Sequence, residues 1–492
     1  MFIRRYASND SSITTTSNGE KEVTTKKSSE LSTTKRAFTL IDPKTIHQIK
    51  RIDDVPIKNE MDYVRHRLTE NRVKNIPIET DVMIIGGAIM GSAIAYFLKQ
   101  RSPDLKVTVL ERDWNYTTSS TVLSAGGLRQ QFALEENIQM SVYGAEFLKH
   151  IREHLSILDQ EPVPVAFHHN GYLLCGSEKS VKLFEENYKT QTSLGAKLKL
   201  MSASMLKEQF PWLNTDGIAI GCFGIQNEGW LDPWALLTAF RQKALSLGVL
   251  YLNAELVGFD KVKRIWADGT VERQLDKALI LSAEDNQIYP IDSTFFVNTA
   301  GPWAGEVAKM AGIGVADEYP VALPVEPRKR YVFVFESMNG PGPLAPLFVD
   351  ISGVYFRPEG LGNTYICGCS PNEDNDISEN NLEVDYSVFE EQIWPTLAKR
   401  IPSFETLKLK NAWCGFYDYN YFDQNLIIGA HPQQQNFIFA NGSSGHGLQH
   451  APAIGRAVSE YLSSLKYDSI DLTRFGFQRI INNTPIYEPM IV

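Results

Sequence analysis

The stretch TDVMIIGGAIMGSAIAYFLKQRSPDLKVTVLE, residues 80–111, decides the fold. Residues 81–85 are a short apolar run, as a buried parallel strand requires. A glycine turn follows (Gly86, Gly87, Ala88, Ile89, Met90, Gly91), then an alanine-rich helix over 92–99. A second apolar strand covers 106–110 and runs into an acid, Glu111. Strand, glycine turn, helix, strand and acid is the order of a dinucleotide-binding unit. In that unit the helix N-terminus faces a pyrophosphate, and the acid accepts the ribose hydroxyls. Glu111 follows Gly91 by 20 residues, against about 20 in the unit. One position departs from Gly-x-Gly-x-x-Gly: Ala88 stands at the middle glycine, and a methyl group there pushes phosphates away. On this stretch alone, a buried βαβ unit that binds nothing remains open. A membrane helix does not, because uncharged residues 82–98 fall short of the roughly 20 a span needs and contain the glycine cluster.

With 492 residues and 43% hydrophobic content, the chain can bury a large core in two interlocked lobes. A net charge of −10 speaks against nucleic acid as a partner. Five scattered cysteines, Cys175, Cys222, Cys367, Cys369 and Cys414, suit a reducing compartment better than a disulfide framework. Cys367 and Cys369 have no second ligand pair nearby, so they read as strand cysteines, and no metal site is expected. Residues 1–38 are rich in Ser and Thr and open MFIRRYASN, with no acid before Asp10. They read as a mitochondrial presequence. Asp10, Glu20, Glu22 and Glu30 keep a plain disordered tail as the alternative. No secretory or membrane-spanning segment is read, which leaves the body soluble or peripherally bound.

Residues 39–79 form a polar lead-in with a helix near 58–73. After Glu111, the loop WNYTTSSTVLSAGGLRQQF (114–132) offers hydroxyls and backbone donors, among them Ser124, Gly126 and Gly127. A helix is predicted over 135–154, and strand-like and helix-like pieces alternate to 219. In EGWLDPWALL, Asp232 is a good N-cap, Pro233 a good first helical residue, and Gly248 a stop. A strand over 294–298 leads into Thr299-Ala300-Gly301-Pro302-Trp303 and a helix, a second strand–glycine turn–helix. Residues 329–335, 353–356 and 365–369 read as an antiparallel sheet, whereas 362–376 and 408–423 read as turn residues and aromatics. The strand 437–440, the turn 441–447 and the helix 448–465 repeat the strand–turn–helix pattern.

The first unit, EGWLDP (228–233), NTAGPW (298–303) and NGSSGHGL (441–448), in that order, resemble the D-amino-acid oxidase and sarcosine oxidase superfamily of flavoenzymes. PVEPRKRYVF (324–333), GFYDYNYFDQN (415–425) and SSGHGLQHAPAIGRAV (443–458) narrow the resemblance to a mitochondrial branch that assists assembly of respiratory complex I. The resemblance covers about 80–480. It implies an α/β fold: a Rossmann-like FAD-binding domain (80–165, 225–312, 408–466) interlaced with an α+β antiparallel-sheet cap (166–224, 313–407), then a tail over 481–492. It implies FAD rather than NAD, with Glu111 and Arg112 at the adenosine ribose and Thr299, Ala300 and Gly301 beyond the pyrophosphate. Gly445, His446, Gly447 and Leu448 would set a helix N-terminus beneath the flavin, where reduced flavin carries negative charge.

Two departures bear on chemistry. The cysteine that binds FAD covalently in sarcosine oxidases is matched by Gly415, with Cys414 one place earlier, so non-covalent FAD is expected. The lysine that holds the substrate carboxylate in those oxidases is matched by Gln449, which supplies no charge. Arg129, or Arg328, Lys329 and Arg330, could replace it, or could serve solvated or phosphate-facing roles. The catalytic candidates are His446, Gln449, Arg129 and Tyr417. Tyr417, Tyr419, Tyr421 and Phe422 either wall an amine pocket or pack between the lobes. The resemblance implies complex I subunits or assembly intermediates as partners, in the matrix or at the inner membrane's matrix face. The alternative is an amine oxidase or dehydrogenase acting on N-methylated or secondary amino acids by hydride transfer to FAD.

Overall fold

The strand Glu79–Ile85 lies between Val107–Glu111 and Ile288–Asn298 and runs parallel to both. A strand flanked this way is covered on both faces, which is why residues 82–85 are apolar without alternation. The computed structural model describes residues 76–265, 271–371 and 381–489. The expected presequence over 1–38 and the helix near 58–73 lie outside them.

Val107–Glu111 pairs in parallel with the start of Leu250–Ile265, and Ile288–Asn298 with Gln434–Asn441. Ile427–His431 closes the seven-stranded sheet in the antiparallel sense. Leu250–Ile265, Val271–Ser282 and Ile288–Asn298 form an antiparallel meander that carries the chain from one side of Glu79–Ile85 to the other. The strand order therefore reverses between Glu79–Ile85 and Ile288–Asn298, where open α/β sheets bind ligands.

The helix Ile89–Arg101 is buried along Ile89–Lys99, as befits one that is apolar all round. Gly447–Ser464 crosses it so closely that a Cβ on Gly455 would stand 2.8 Å from the Ala93 carbonyl carbon. Pro233–Ser246 also packs on it, with Asp232 capping its start: the carboxylate accepts from the N–H of Trp234 (2.9 Å) and Ala235 (3.1 Å). The helix expected over 135–154 is two pieces, Glu135–Lys149 and Ile151–Leu155, because His150 leaves helical geometry (φ −104°, ψ 23°).

The second sheet has eight strands, with Lys408–Asn420 and Leu198–Ser202 at its edges. Its neighbours are antiparallel except where Leu347–Val349 runs parallel to Tyr172–Gly176. Phe333, Phe335, Phe348, Phe356, Tyr365 and Phe404 fill the core on one of its faces. Here the structure corrects the sequence. Residues 408–423, read as turns, contain a 13-residue strand that pairs with Val325–Glu336 from end to end. It belongs to the cap sheet, so the chain re-enters the first sheet at Ile427 and not at 408. The expected tail is also partly tied down. Glu488 is 5% exposed and accepts the Ala133 N–H at 2.8 Å, and the Ile486 carbonyl accepts from the Asn425 side-chain amide.

Candidate cofactor-binding site

Two of the three fingerprint glycines are demanded by the backbone. Gly86 has φ +105°, and a Cβ there would stand 2.4 Å from the Thr299 carbonyl oxygen. A Cβ on Gly91 would fall 2.0 Å from the Gly86 oxygen. These contacts press the turn against Thr299, whose hydroxyl donates to the carbonyls of Ile85 (3.0 Å) and Gly86 (2.8 Å). Ala88 sits at ordinary extended geometry (φ −69°, ψ −163°), which alanine adopts without strain, and it lines the cleft.

Glu111 ends the second strand as expected. Its carboxylate accepts the Gly87 and Asp113 N–H groups, each at 2.9 Å. Gly87 thus acts behind the acid, and a Cβ on it would crowd the Glu111 side chain at 3.1 Å. Burial raises the Glu111 pKa, opposed by those two hydrogen bonds.

From here a cleft, open at its mouth, runs across the switch point. Gly86, Ala88, Ile89 and Met90 line it on one side; Thr299, Ala300 and Gly301 line it on the other. Arg112 stands at its mouth, 4.3 Å over the Trp303 ring and paired with Glu255 (3.2 Å). Ser124 reaches the cleft, whereas Gly126 and Gly127 lie outside its lining, in the approach to the short ribbon with Gly229–Trp230. Sequence reasoning passed over Tyr116, Thr121, Trp303, Glu306 and Ser443, all of which line the cleft. Thr121 and Trp303 lay in stretches already marked as donor loop and glycine turn, whereas Glu306 carried no signal.

The other end is formed by Gly445, Gly447, Leu448 and Tyr417. Asp418 fastens this turn to the cap sheet, accepting from the Ser443 N–H (2.8 Å) and hydroxyl (2.5 Å). Gly445 has φ +104°, and a Cβ there would strike the Tyr417 ring at 2.6 Å. His446 is next to the cleft and neutral. Burial, and then Arg129, hold its pKa well below the usual value. Arg129 Nη2 donates to Nε2 of His446 (3.2 Å), so the proton is on Nδ1, which donates to the Ser443 carbonyl (3.2 Å). Of this pair, the positive charge belongs to Arg129, not to the histidine.

Gln449 is a strut: its carbonyl accepts the Arg129 backbone N–H at 2.8 Å. Arg129, His446 and Gln449 thus form one cluster, drawn from positions more than 300 residues apart. The remaining cations sit farther along the cap sheet. Arg328 pairs with Glu326, Lys329 donates to Asn381 (2.7 Å), and the Arg330 guanidinium lies 4.7 Å over the Tyr417 ring. Tyr421, 54% exposed, walls nothing. At the position expected for a flavin-linking cysteine, a Cβ on Gly415 would meet Leu123 at 2.8 Å, while Cys414 Sγ points to the Glu383 carbonyl (3.7 Å). None of the five cysteines is in a disulfide, and all are buried.

A switch-point cleft with a carboxylate closing the second strand at one end and a helix N-terminus beside an arginine at the other has the parts of a dinucleotide-binding protein. The profile of the DAO family, "FAD dependent oxidoreductase", matches residues 81–461, and the chain belongs to that family. It is 46% identical over 426 residues to the FAD-dependent oxidoreductase domain-containing protein 1 of Xenopus laevis, covering 85% of each chain. Human mitochondrial sarcosine dehydrogenase is 23% identical over 400 residues, 79% of this chain and 40% of that one. The crystal structure of L-proline dehydrogenase from P. horikoshii shares the fold, with a TM-score of 0.70 at 24% identity, covering 84% of this chain and all of that one. FAD is the cofactor.

Proposed function

We propose that this chain is a mitochondrial FAD protein that assists assembly of respiratory complex I. The observation that carries the proposal is a well-formed cofactor cleft in a chain whose stretches 324–333, 415–425 and 443–458 resemble that branch of the superfamily. The basic, hydroxyl-rich residues 1–38 support matrix import as a presequence, as does a mitochondrial relative. Among the described residues no helix is long and apolar enough to cross a membrane, which is compatible with peripheral contact at the inner membrane's matrix face. In the cleft Glu111 would take the adenosine ribose hydroxyls, and the start of Gly447–Ser464 with Arg129 would face the flavin. Attachment is non-covalent on this account, since Cys414 points away from Gly415 and Leu123.

Expression in cells lacking the endogenous factor, followed on native gels, is expected to restore assembled complex I. No restoration by the unaltered chain contradicts the proposal. Ala88→Glu, which sets a carboxylate where the pyrophosphate would lie, separates a need for FAD from a scaffold role.

A second reading is dehydrogenation of a secondary or N-methylated amino acid. It is favoured by Tyr417 in the cleft wall under Arg330, and by the Arg129 cation beside the turn. FAD supplies the acceptor for a hydride equivalent in such chemistry. Against it, Gln449 offers no charge, and its carbonyl is already bonded. Anaerobic mixing with sarcosine, dimethylglycine, proline and D-amino acids should bleach the flavin; an unchanged spectrum across the panel contradicts this reading.

A further inference from the structure

We propose that Glu228 is a positioning residue behind the flavin end of the cleft: it anchors the segment that carries Arg129 and takes up a proton when the flavin is reduced. The proposal rests on the flavin lying at the Gly445–Leu448 end, as set out above.

Glu228 is 1% exposed and sits in the turn between Ile220–Gly224 and Gly229–Trp230. The turn is built around it. A Cβ on Gly224 would fall 1.9 Å from Glu228 Oε2, so the glycine leaves the carboxylate its room. Gly229 has φ +147° and lies against the His168 carbonyl, which fixes the other side. The carboxylate accepts the Gln130 N–H at 2.6 Å and Gln131 Nε2 at 2.8 Å, and both donors are neutral.

Those two residues follow Arg129 directly. Arg129 Nη1 donates to the Gln131 carbonyl (2.8 Å), Nη2 to His446, and its guanidinium lies 4.4 Å from the Phe132 ring. A continuous path therefore joins Glu228, the 129–131 segment, His446 and the turn at the cleft. The titratable and charged groups that face Glu228 are Arg129, Tyr172 and Cys222. Burial pushes the ionisation of Tyr172 up to about 12, and that of Cys222 up as well, so both stay protonated near neutral pH. Arg129 is the cation of the set.

A buried carboxylate with neutral donors is poised to accept a proton. Burial raises the Glu228 pKa to about 7, opposed by the bonds from Gln131 and Gln130 and by Arg129. A flavin that took up two electrons and one proton would carry one negative charge, and Arg129, which meets the turn through His446, is the cation that would answer it. The Glu228 pKa then rises further, and a second proton passes from solvent to a Glu228 oxygen.

Spectroelectrochemical titration of the FAD-loaded protein, with mediator dyes carrying electrons from the electrode, tests this. Between about pH 7 and the higher pKa that Glu228 would have beside reduced flavin, the unaltered protein should take up one more proton per two electrons than Glu228→Gln does. Each extra proton makes the equilibrium constant tenfold less favourable per pH unit, about 30 mV for a two-electron couple. Below about pH 7 the two slopes converge, because Glu228 is protonated in both redox states. Equal slopes throughout overturn the proposal. Should Glu228→Gln fail to fold, the reduced-minus-oxidised infrared spectrum of the unaltered protein decides. A protonated-carboxyl stretch gained on reduction supports uptake, and its absence overturns it. Failure of FAD to bind at all contradicts the cofactor assignment and the proposal with it, and is told apart by the missing flavin absorbance.

Discussion

Ala88 is where sequence and structure meet most sharply. The fingerprint treats its position as one of three equivalent glycines, yet the three serve different ends. Gly86 and Gly91 are required by contacts of 2.4 Å and 2.0 Å that exist with or without ligand. The middle position has no such steric demand on the fold, so the main effect of alanine there falls on cofactor affinity. Extra volume at a tight contact costs about 1–3 kcal/mol, or roughly 5–150-fold in affinity. Glycine is also the better residue at a helix N-cap. Ala88→Gly is therefore expected to tighten FAD binding without loss of stability, as measured by fluorescence titration of the apoprotein. An unchanged or weaker dissociation constant would mean that the backbone already stands off from the phosphates.

Among elements, the helix Glu135–Lys149 shows what holds the fold beyond local pattern. Its N-cap residue, Leu134, has no capping side chain of its own. Glu488 supplies the cap from the far end of the chain, accepting the N–H of Ala133 (2.8 Å) and Leu134 (3.1 Å) and the Asn137 amide (3.0 Å). A buried carboxylate at a helix start also meets the favourable end of the helix dipole. Glu488→Ala should destabilise the protein by about 1–3 kcal/mol, read from denaturant unfolding, with a smaller loss for Glu488→Gln; an unaltered midpoint would exclude this cap. The contrast with Asp232 explains what could be read from sequence. Asp232 caps residues two and three places away and was legible; Glu488 caps a helix more than 300 residues back and was not. The same holds for Lys408–Asn420, whose Asn411 and Gly415 suggest turns. Its extended form is set by pairing with Val325–Glu336, and Leu123 fills the place a side chain at Gly415 would need. The strand–turn–helix units were legible because glycines, apolar runs and Glu111 all lie within one short stretch each. Glu228 and the Arg129–Gln449 strut were not, since tertiary packing alone gives them their partners.

For the molecule as a whole, three turns from distant parts of the chain converge on one cleft: Gly86–Gly91, Thr299–Gly301 and Gly445–Gly447. Ligand bound across them ties together both sheets, since Tyr417 and Asp418 belong to the cap and the glycine turns to the parallel sheet. FAD at a hundred times its dissociation constant would add about 2.7 kcal/mol to stability, so the loaded protein should unfold at a higher temperature than the apoprotein. Whether the cleft holds the cofactor is thus the question on which the rest depends. The most direct measurement is the visible spectrum of the purified protein, taken before and after denaturation. The account predicts flavin absorbance at about one FAD per chain, released into solution on denaturation, as the proposed non-covalent attachment requires. A colourless protein that takes up no added FAD would contradict it.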